Sequence, residues 1–176
     1  SDFFYLTGFT EPDAIAVVTK EHPDTTLTLF VRPKDIEREL WTGRRQGPEG
    51  AIAHFGAHNA YNIEEFDGKV TDILANATNL YWTIGHYPKW DRRIIRLLNT
   101  LRSRQKKKVY PPRIIRDPAA TLHQLRLVKT DAEIEQARRA GAVSAEGHLV
   151  ALARCKPGMH EYELQAAVEY VFRSRG

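Results

Sequence analysis

The chain has 176 residues, 42% hydrophobic and 27% charged, and its 26 Lys and Arg against 22 Asp and Glu leave a net charge of +4. This is globular composition, long enough for one good core or for a domain and part of another, and too mildly basic to imply nucleic acid by itself. No apolar run reaches the roughly 18 residues of a membrane span, and no basic-then-apolar leader is visible. One cysteine, Cys155, excludes an internal disulfide framework, fits a reducing cytosol, and reads as a small buried or half-buried thiol.

The stretch Ser1 to Phe9 carries four aromatics in nine positions and no evident cap. It reads as an interior strand and turn whose aromatics pack in a core, with Gly8 and Pro12 shaping the entry to the next strand. Its abruptness, like the end at Gly176 inside a helix, suggests a chain cut at both ends. Ala14 to Thr19 and Thr25 to Val31 are β-branched and apolar, and His22-Pro23-Asp24 between them predicts the turn of a hairpin. In the second strand Leu27, Leu29 and Val31 face one side and Thr26, Thr28 and Phe30 the other. The first, apolar nearly throughout, is placed centrally in the sheet.

Pro33 ends that strand, and Asp35 to Trp41 predicts a short helix with acidic residues in its first turn, stopped by Gly43. Arg44 to His58 reads as a Gly-rich loop with at most one helical turn. A helix is expected from Ile63 to about Asn76, with Phe66, Val70, Ile73 and Leu74 on one face, and a third strand from Asn79 to Gly85. Pro88 suits a first helical position. The stripe Trp90, Ile94, Leu97, Leu98 and Leu101 leaves Arg92, Arg93, Arg96 and Arg102 on the flanks. Alternating strands and helices up to about Asp117 predict an α/β domain.

After Asp117-Pro118, a proline-marked linker, the pattern becomes helical. Thr130-Asp-Ala-Glu133 is a capping box, and a long helix follows with a face of small residues, Ile134, Ala137, Gly141, Ala142, Ala145 and Leu149. Pro157-Gly158 breaks it, and a second helix carries Leu164, Val168, Val171 and Phe172. Both helices are expected to bury a face against something outside this chain.

No catalytic centre is visible. His54 and His58 have the i, i+4 spacing of a metal-binding helix, but Gly56 lies between them and no third ligand is near, so a surface or loop pair is the alternative. His160-Glu161 lacks the second His of the zinc-protease helix. No phosphate-binding glycine loop occurs, and neither Ser103 nor Ser144 stands on a nucleophile turn. Lys89 to Arg116 holds eleven basic residues against one acidic residue, Asp91. Arg92 to Lys108 is therefore a candidate nucleic-acid surface, with Trp82 and Trp90 available to stack bases. The alternatives are a solvated helix face, or cations serving a subunit interface or an anionic substrate end.

Taken in order, Ser1-Asp-Phe-Phe-Tyr-Leu-Thr-Gly-Phe9 with Glu11-Pro12-Asp-Ala14, Leu40-Trp-Thr-Gly-Arg-Arg45, His123 to Lys129, Glu133 to Gly141 and Lys156-Pro-Gly-Met-His-Glu-Tyr-Glu-Leu164 resemble the bacterial aminopeptidase P (Xaa-Pro aminopeptidase) family. Prolidase and creatinase share that architecture. The resemblance implies residues 1–117 as a creatinase-type α/β domain, a mixed sheet flanked by helices lacking its first strand and helix. It implies residues 118–176 as the first helices of a pita-bread α+β metallopeptidase domain, truncated before the metal ligands. It implies an enzyme that removes the residue before a proline in second position, with two divalent metal ions, usually manganese, bound outside this chain. The chain alone is then expected to be inactive, with no catalytic or metal residue of its own. The resemblance further implies a cytoplasmic homo-oligomer, tetramer or dimer, acting on proline-containing peptides, with Trp41 and Arg104 lining a neighbouring subunit's substrate pocket. A non-catalytic creatinase-fold protein and a basic nucleic-acid-binding module are the alternatives.

Overall fold

Ser1 caps a helix. In the computed structural model of the protein, which describes residues 1–21 and 24–176, Ser1 Oγ accepts from the Phe4 amide at 3.3 Å. Gly8 ends α1 (Asp2–Thr7) in the left-handed region at φ 64°, its N–H donating to the Phe4 carbonyl at 2.8 Å. The expected opening strand is thus a helix, because a serine cap and a glycine stop outweigh the strand preference of the aromatics. Phe9 is buried and Phe3 packs in its cluster, while Phe4 is exposed, so the aromatics divide between core and surface.

β1 (Ile15–Glu21) runs antiparallel to β2 (Asp24–Val31), with Ile15 opposite Phe30, and β2 runs parallel to β3 (Asn59–Asn62). The turn expected at His22-Pro23 lies outside the described residues. The sheet order is β1-β2-β3, so the central strand is β2 and the placement of β1 at the centre is corrected. The reason is burial on both faces: Thr28, Leu29, Phe30 and Val31 are all buried. Their alternation holds, but it feeds two cores. Phe30 joins Phe66, Val70, Leu74, Leu97 and Leu101, whereas Leu29 and Val31 join Phe9, Ala51 and Ala57.

α2 (Ile36–Thr42) begins at Asp35, whose carboxylate accepts from the Arg38 amide at 3.1 Å, and ends at Gly43. The segment expected to be a loop contains α3 (Gly47–Phe55), a nine-residue helix with proline in its first turn and Gly56 as its left-handed stop. A 3-10 turn over Ile63–Glu65 leads into α4 (Phe66–Leu74). α5 (Pro88–Ser103) buries Ile94, Leu97, Leu98 and Leu101 as its stripe predicts.

The expected third strand shortens to β4 (Asn79–Tyr81), parallel to β5 (Ile114–Arg116). It stops because Asp91 gathers the next residues: Trp82 Nε1 donates to one carboxylate oxygen at 2.7 Å and the Gly85 amide to the other at 2.9 Å. Mixed pairing in one sheet, with α4 and α5 supplying one of its cores, makes this an α/β fold.

The chain divides into two compact units, Ser1–Leu122 and His123–Gly176. The boundary falls within α6 (Ala119–Leu127), and the second unit is mainly α7 (Asp131–Arg154) and α8 (Glu161–Arg175), packed against each other. That corrects the expectation that each helix finds no partner within the chain. Gly147 is the close point, since a Cβ there would lie 3.0 Å from Phe172 Cε1 and 3.3 Å from Val168 Cγ1. The seam follows Gly147, so the predicted small-residue face from Ile134 to Leu149 is exposed instead. Cys155, expected buried or half-buried, is exposed at the C-cap of α7.

The capping box of α7 is complete: Glu133 N donates to Thr130 Oγ1 at 3.3 Å, and Thr130 N to Glu133 Oε2 at 2.8 Å. The Thr130 amide, then its hydroxyl, hold the Glu133 carboxyl below its ordinary 4.5. A carboxylate with a lowered folded pKa contributes stability that is present above pH 4.5 and lost as pH falls through the folded value. Thr130→Ala is expected to cost about 1 kcal/mol and to speed hydrogen exchange in the first turn of α7 roughly fivefold. Because the variant keeps the backbone amide at position 130 and loses only the hydroxyl, the Glu133 carboxyl should move part of the way back toward 4.5 in an NMR titration. An unmoved titration would show that the hydroxyl has no share in holding the carboxylate.

Candidate functional site

α2 places Trp41 one residue before its end, and the indole is 90% exposed, without a hydrogen-bond or ring partner among the described residues. Ile36 and Leu40 on the same helix are also exposed. These are the three apolar side chains of a seven-residue helix that buries none of its residues. Water is a poor neighbour for such a surface, so an exposed indole of this kind is suited to an apolar ligand group.

Arg104 caps the C-terminus of α5 and donates from Nη1 to Asp72 Oδ1 on α4 at 3.4 Å. Its side chain remains about half exposed, which leaves guanidinium edges for a second anion. No hydrogen bond, ion pair or ring contact among the described residues joins Trp41 to Arg104. The structure puts them in one unit, on separate elements.

The other candidates are held by local structure. His54 Nδ1 shares a hydrogen bond of 2.9 Å with Gln46 Oε1, and His58 Nδ1 accepts from the Leu27 amide at 3.1 Å. Gly56 ends α3 between them, so the pair does not share a helical face. Trp90 packs edge-on to Phe66 at 5.4 Å within the core, and Trp82 is tied to Asp91. Neither serves as an open stacking platform. Within the basic stretch, Arg93 lies over the Phe66 and Trp90 rings and pairs with Asp67 at 2.6 Å, while Arg92, Arg96 and Lys106 to Lys108 remain exposed.

Residues 1–81 match the family model described as aminopeptidase P, N-terminal domain. Over its whole length the chain is 33% identical to the Xaa-Pro aminopeptidase of Escherichia coli (strain K12) and covers 40% of it. The structure of Pseudomonas aeruginosa aminopeptidase PepP superposes with a TM-score of 0.95 at 38% identity, over 100% of this chain and 40% of that one. The chain belongs to the aminopeptidase P family. A zinc-substituted E. coli aminopeptidase P in complex with product superposes with a TM-score of 0.94 at 32% identity, over 99% of this chain and 40% of that one. This aminopeptidase P chain thus spans about 40% of the length of the relatives it matches.

The family is one of metallopeptidases, and the described residues do not fit its metal centre. No three His, Cys, Asp or Glu side chains among them converge on a point. No step through a metal is therefore assigned to this part of an aminopeptidase P. Among the described residues, no helix is long and apolar enough to cross a membrane.

A feature that motif reading overlooked lies beside α2. Glu11, Arg32 and Arg45 come from three separate segments at the base of that helix: Glu11 Oε2 lies 3.5 Å from Arg32 Nη2, Glu11 Oε1 accepts from the Gln46 amide next to Arg45, and Arg45 Nη1 donates to the Pro33 carbonyl next to Arg32. The sequence shows Glu11 and Arg45 inside the family segments but gives no sign that they converge, because the pairings span up to 35 positions.

Proposed function

We propose that this chain works as the N-terminal part of a metal-dependent Xaa-Pro aminopeptidase, and that it supplies substrate-pocket walls and assembly contacts rather than the metal centre. The observation that carries this reading is the match along the whole chain to Xaa-Pro aminopeptidases that extend well beyond it. In this reading residues 1–117 form the first domain and residues 118–176 open the catalytic one. Two divalent ions, manganese in the native enzyme, bind outside these residues. The protein is a cytosolic homo-oligomer, where its one cysteine stays a thiol.

Trp41 and Arg104 then act on a neighbouring subunit's substrate. The indole covers the apolar face of a prolyl ring, and the guanidinium meets a peptide carboxylate. Both interactions favour a peptide with proline near its start, met by residues at the C-terminal ends of α2 and α5.

The test is a chimera in which this chain replaces the matching 40% of the E. coli enzyme. With Mn²⁺ the chimera is expected to release the first residue from Xaa-Pro peptides, and the chain alone to release none. A folded but inactive chimera, or metal-dependent release by the chain alone, overturns the reading.

A further inference from the structure

The segment that carries α2 leaves the body at Arg32, after β2, and returns at Arg45, before α3. α2 buries none of its own residues, so its direction depends on how the two ends of this excursion are joined. Arg45, 8% exposed, donates from Nη1 to the Pro33 carbonyl at 3.4 Å and so ties the returning segment to the departing one. Glu11, in the loop before β1, grips both ends. Its Oε1 accepts from the Gln46 amide at 2.6 Å, and its Oε2 faces the Arg32 guanidinium.

The composition of this neck is unusual for a part with no other task. It holds one carboxylate and two guanidiniums, mostly removed from water. Glu11 Oε2, Arg32 Nε and Arg45 Nε have no hydrogen-bond partner among the described residues. A buried cluster held by charge, with donors left over, is a costly way to gain stability, and apolar residues of similar size do as well or better. What such a cluster gives is geometry, because a carboxylate shared between a backbone amide and a guanidinium, and a buried guanidinium tied to a carbonyl, accept few arrangements. Glu11 also supplies the negative charge favoured where α3 begins, so the site is filled from within and has no call for an outside anion.

We propose that Glu11 and Arg45 are positioning residues that clamp the neck of the α2 excursion and fix where Trp41 is presented. The consequence for substrate rests on the pocket reading of Trp41; the clamp itself does not. Without it, α2 keeps its helical caps but swings about Pro33 and Gly43, since nothing it buries returns it to one place.

Spin labels read this directly. In a Cys155→Ser background, labels at Glu37→Cys and Arg96→Cys report the position of α2 relative to α5 by pulsed EPR, and labels at Thr25→Cys and Arg96→Cys serve as a control within the body. All three positions are exposed. The parent should give one narrow distance distribution for each pair. Glu11→Gln, and independently Arg45→Met, should broaden the α2 pair and leave the control pair narrow. An α2 distribution as narrow as the parent's overturns the clamp. Equal broadening of both pairs, or loss of folding in both variants, also overturns it, because the cluster would then support the whole unit. Trp41→Ala should leave both distributions narrow while altering substrate binding in the chimera, so failure of the pocket reading and failure of the clamp are separately visible.

Discussion

Phe30→Ala should destabilise the first unit by about 3–5 kcal/mol, the range for deleting a fully buried phenylalanine. Phe30 is fully buried on the central strand and lies edge-on to Phe66 with ring centroids 5.1 Å apart, with Tyr61 at 5.8 Å. It is also the strand residue that joins β2 to α4 and α5 in one cluster. Truncation leaves a cavity bounded by two helices and a sheet, none of which can close it without breaking its own pairing. A domain has only about 5–15 kcal/mol of total stability, so this is a large share of it. Urea unfolding should show a lower midpoint with an unchanged slope. A loss under about 1 kcal/mol would mean the site collapses freely and β2 is not the element around which the unit packs.

How legible the fold was depended on whether a signal was local. α5 and α2 were readable because proline, acidic first turns and apolar spacing all act within one or two turns of helix. The Thr130–Glu133 box was readable for the same reason. α1 carries its signals in Ser1 and Gly8, which outweigh the strand preference of four aromatics in nine positions. α3 is obscured in the sequence because Gly47 and Gly50 have loop character, while Pro48 in its first turn and Gly56 at its end are the start and stop that set it.

What could not be read was pairing across distance. β3 is Asn59-Ala-Tyr-Asn62, with little strand character, yet it takes the far edge of β2 and thereby displaces β1 to the outside. The run of small residues on α7 points to one face, whereas Phe172 of α8 packs at Gly147, on another. The site followed the same division. Trp41 looks ordinary in the sequence and stands out through family resemblance and through its exposure. The Glu11–Arg32–Arg45 neck has no sequence signature at all, since its members belong to three loops that only the folded sheet brings together.

Trp41→Ala, in the chimera with the E. coli catalytic portion, should raise KM for an Xaa-Pro peptide about tenfold or more with kcat little changed. The indole is 90% exposed, so its removal should shift unfolding of the chain itself by no more than about 0.5 kcal/mol. That contrast is the point of the experiment, because a core residue loses stability and activity together. An apolar wall touches the prolyl ring equally in the bound substrate and in the transition state, which is the condition for an effect on KM alone. Trp41→Phe keeps most of the apolar area and should recover most of the affinity. Sedimentation of the variant separates pocket from assembly: a chimera that dissociates on Trp41→Ala has lost a subunit contact, and the KM change would then follow protein concentration. Unchanged KM in an intact oligomer would remove Trp41 from the substrate pocket and leave α2, with Ile36 and Leu40 equally exposed, as an assembly helix.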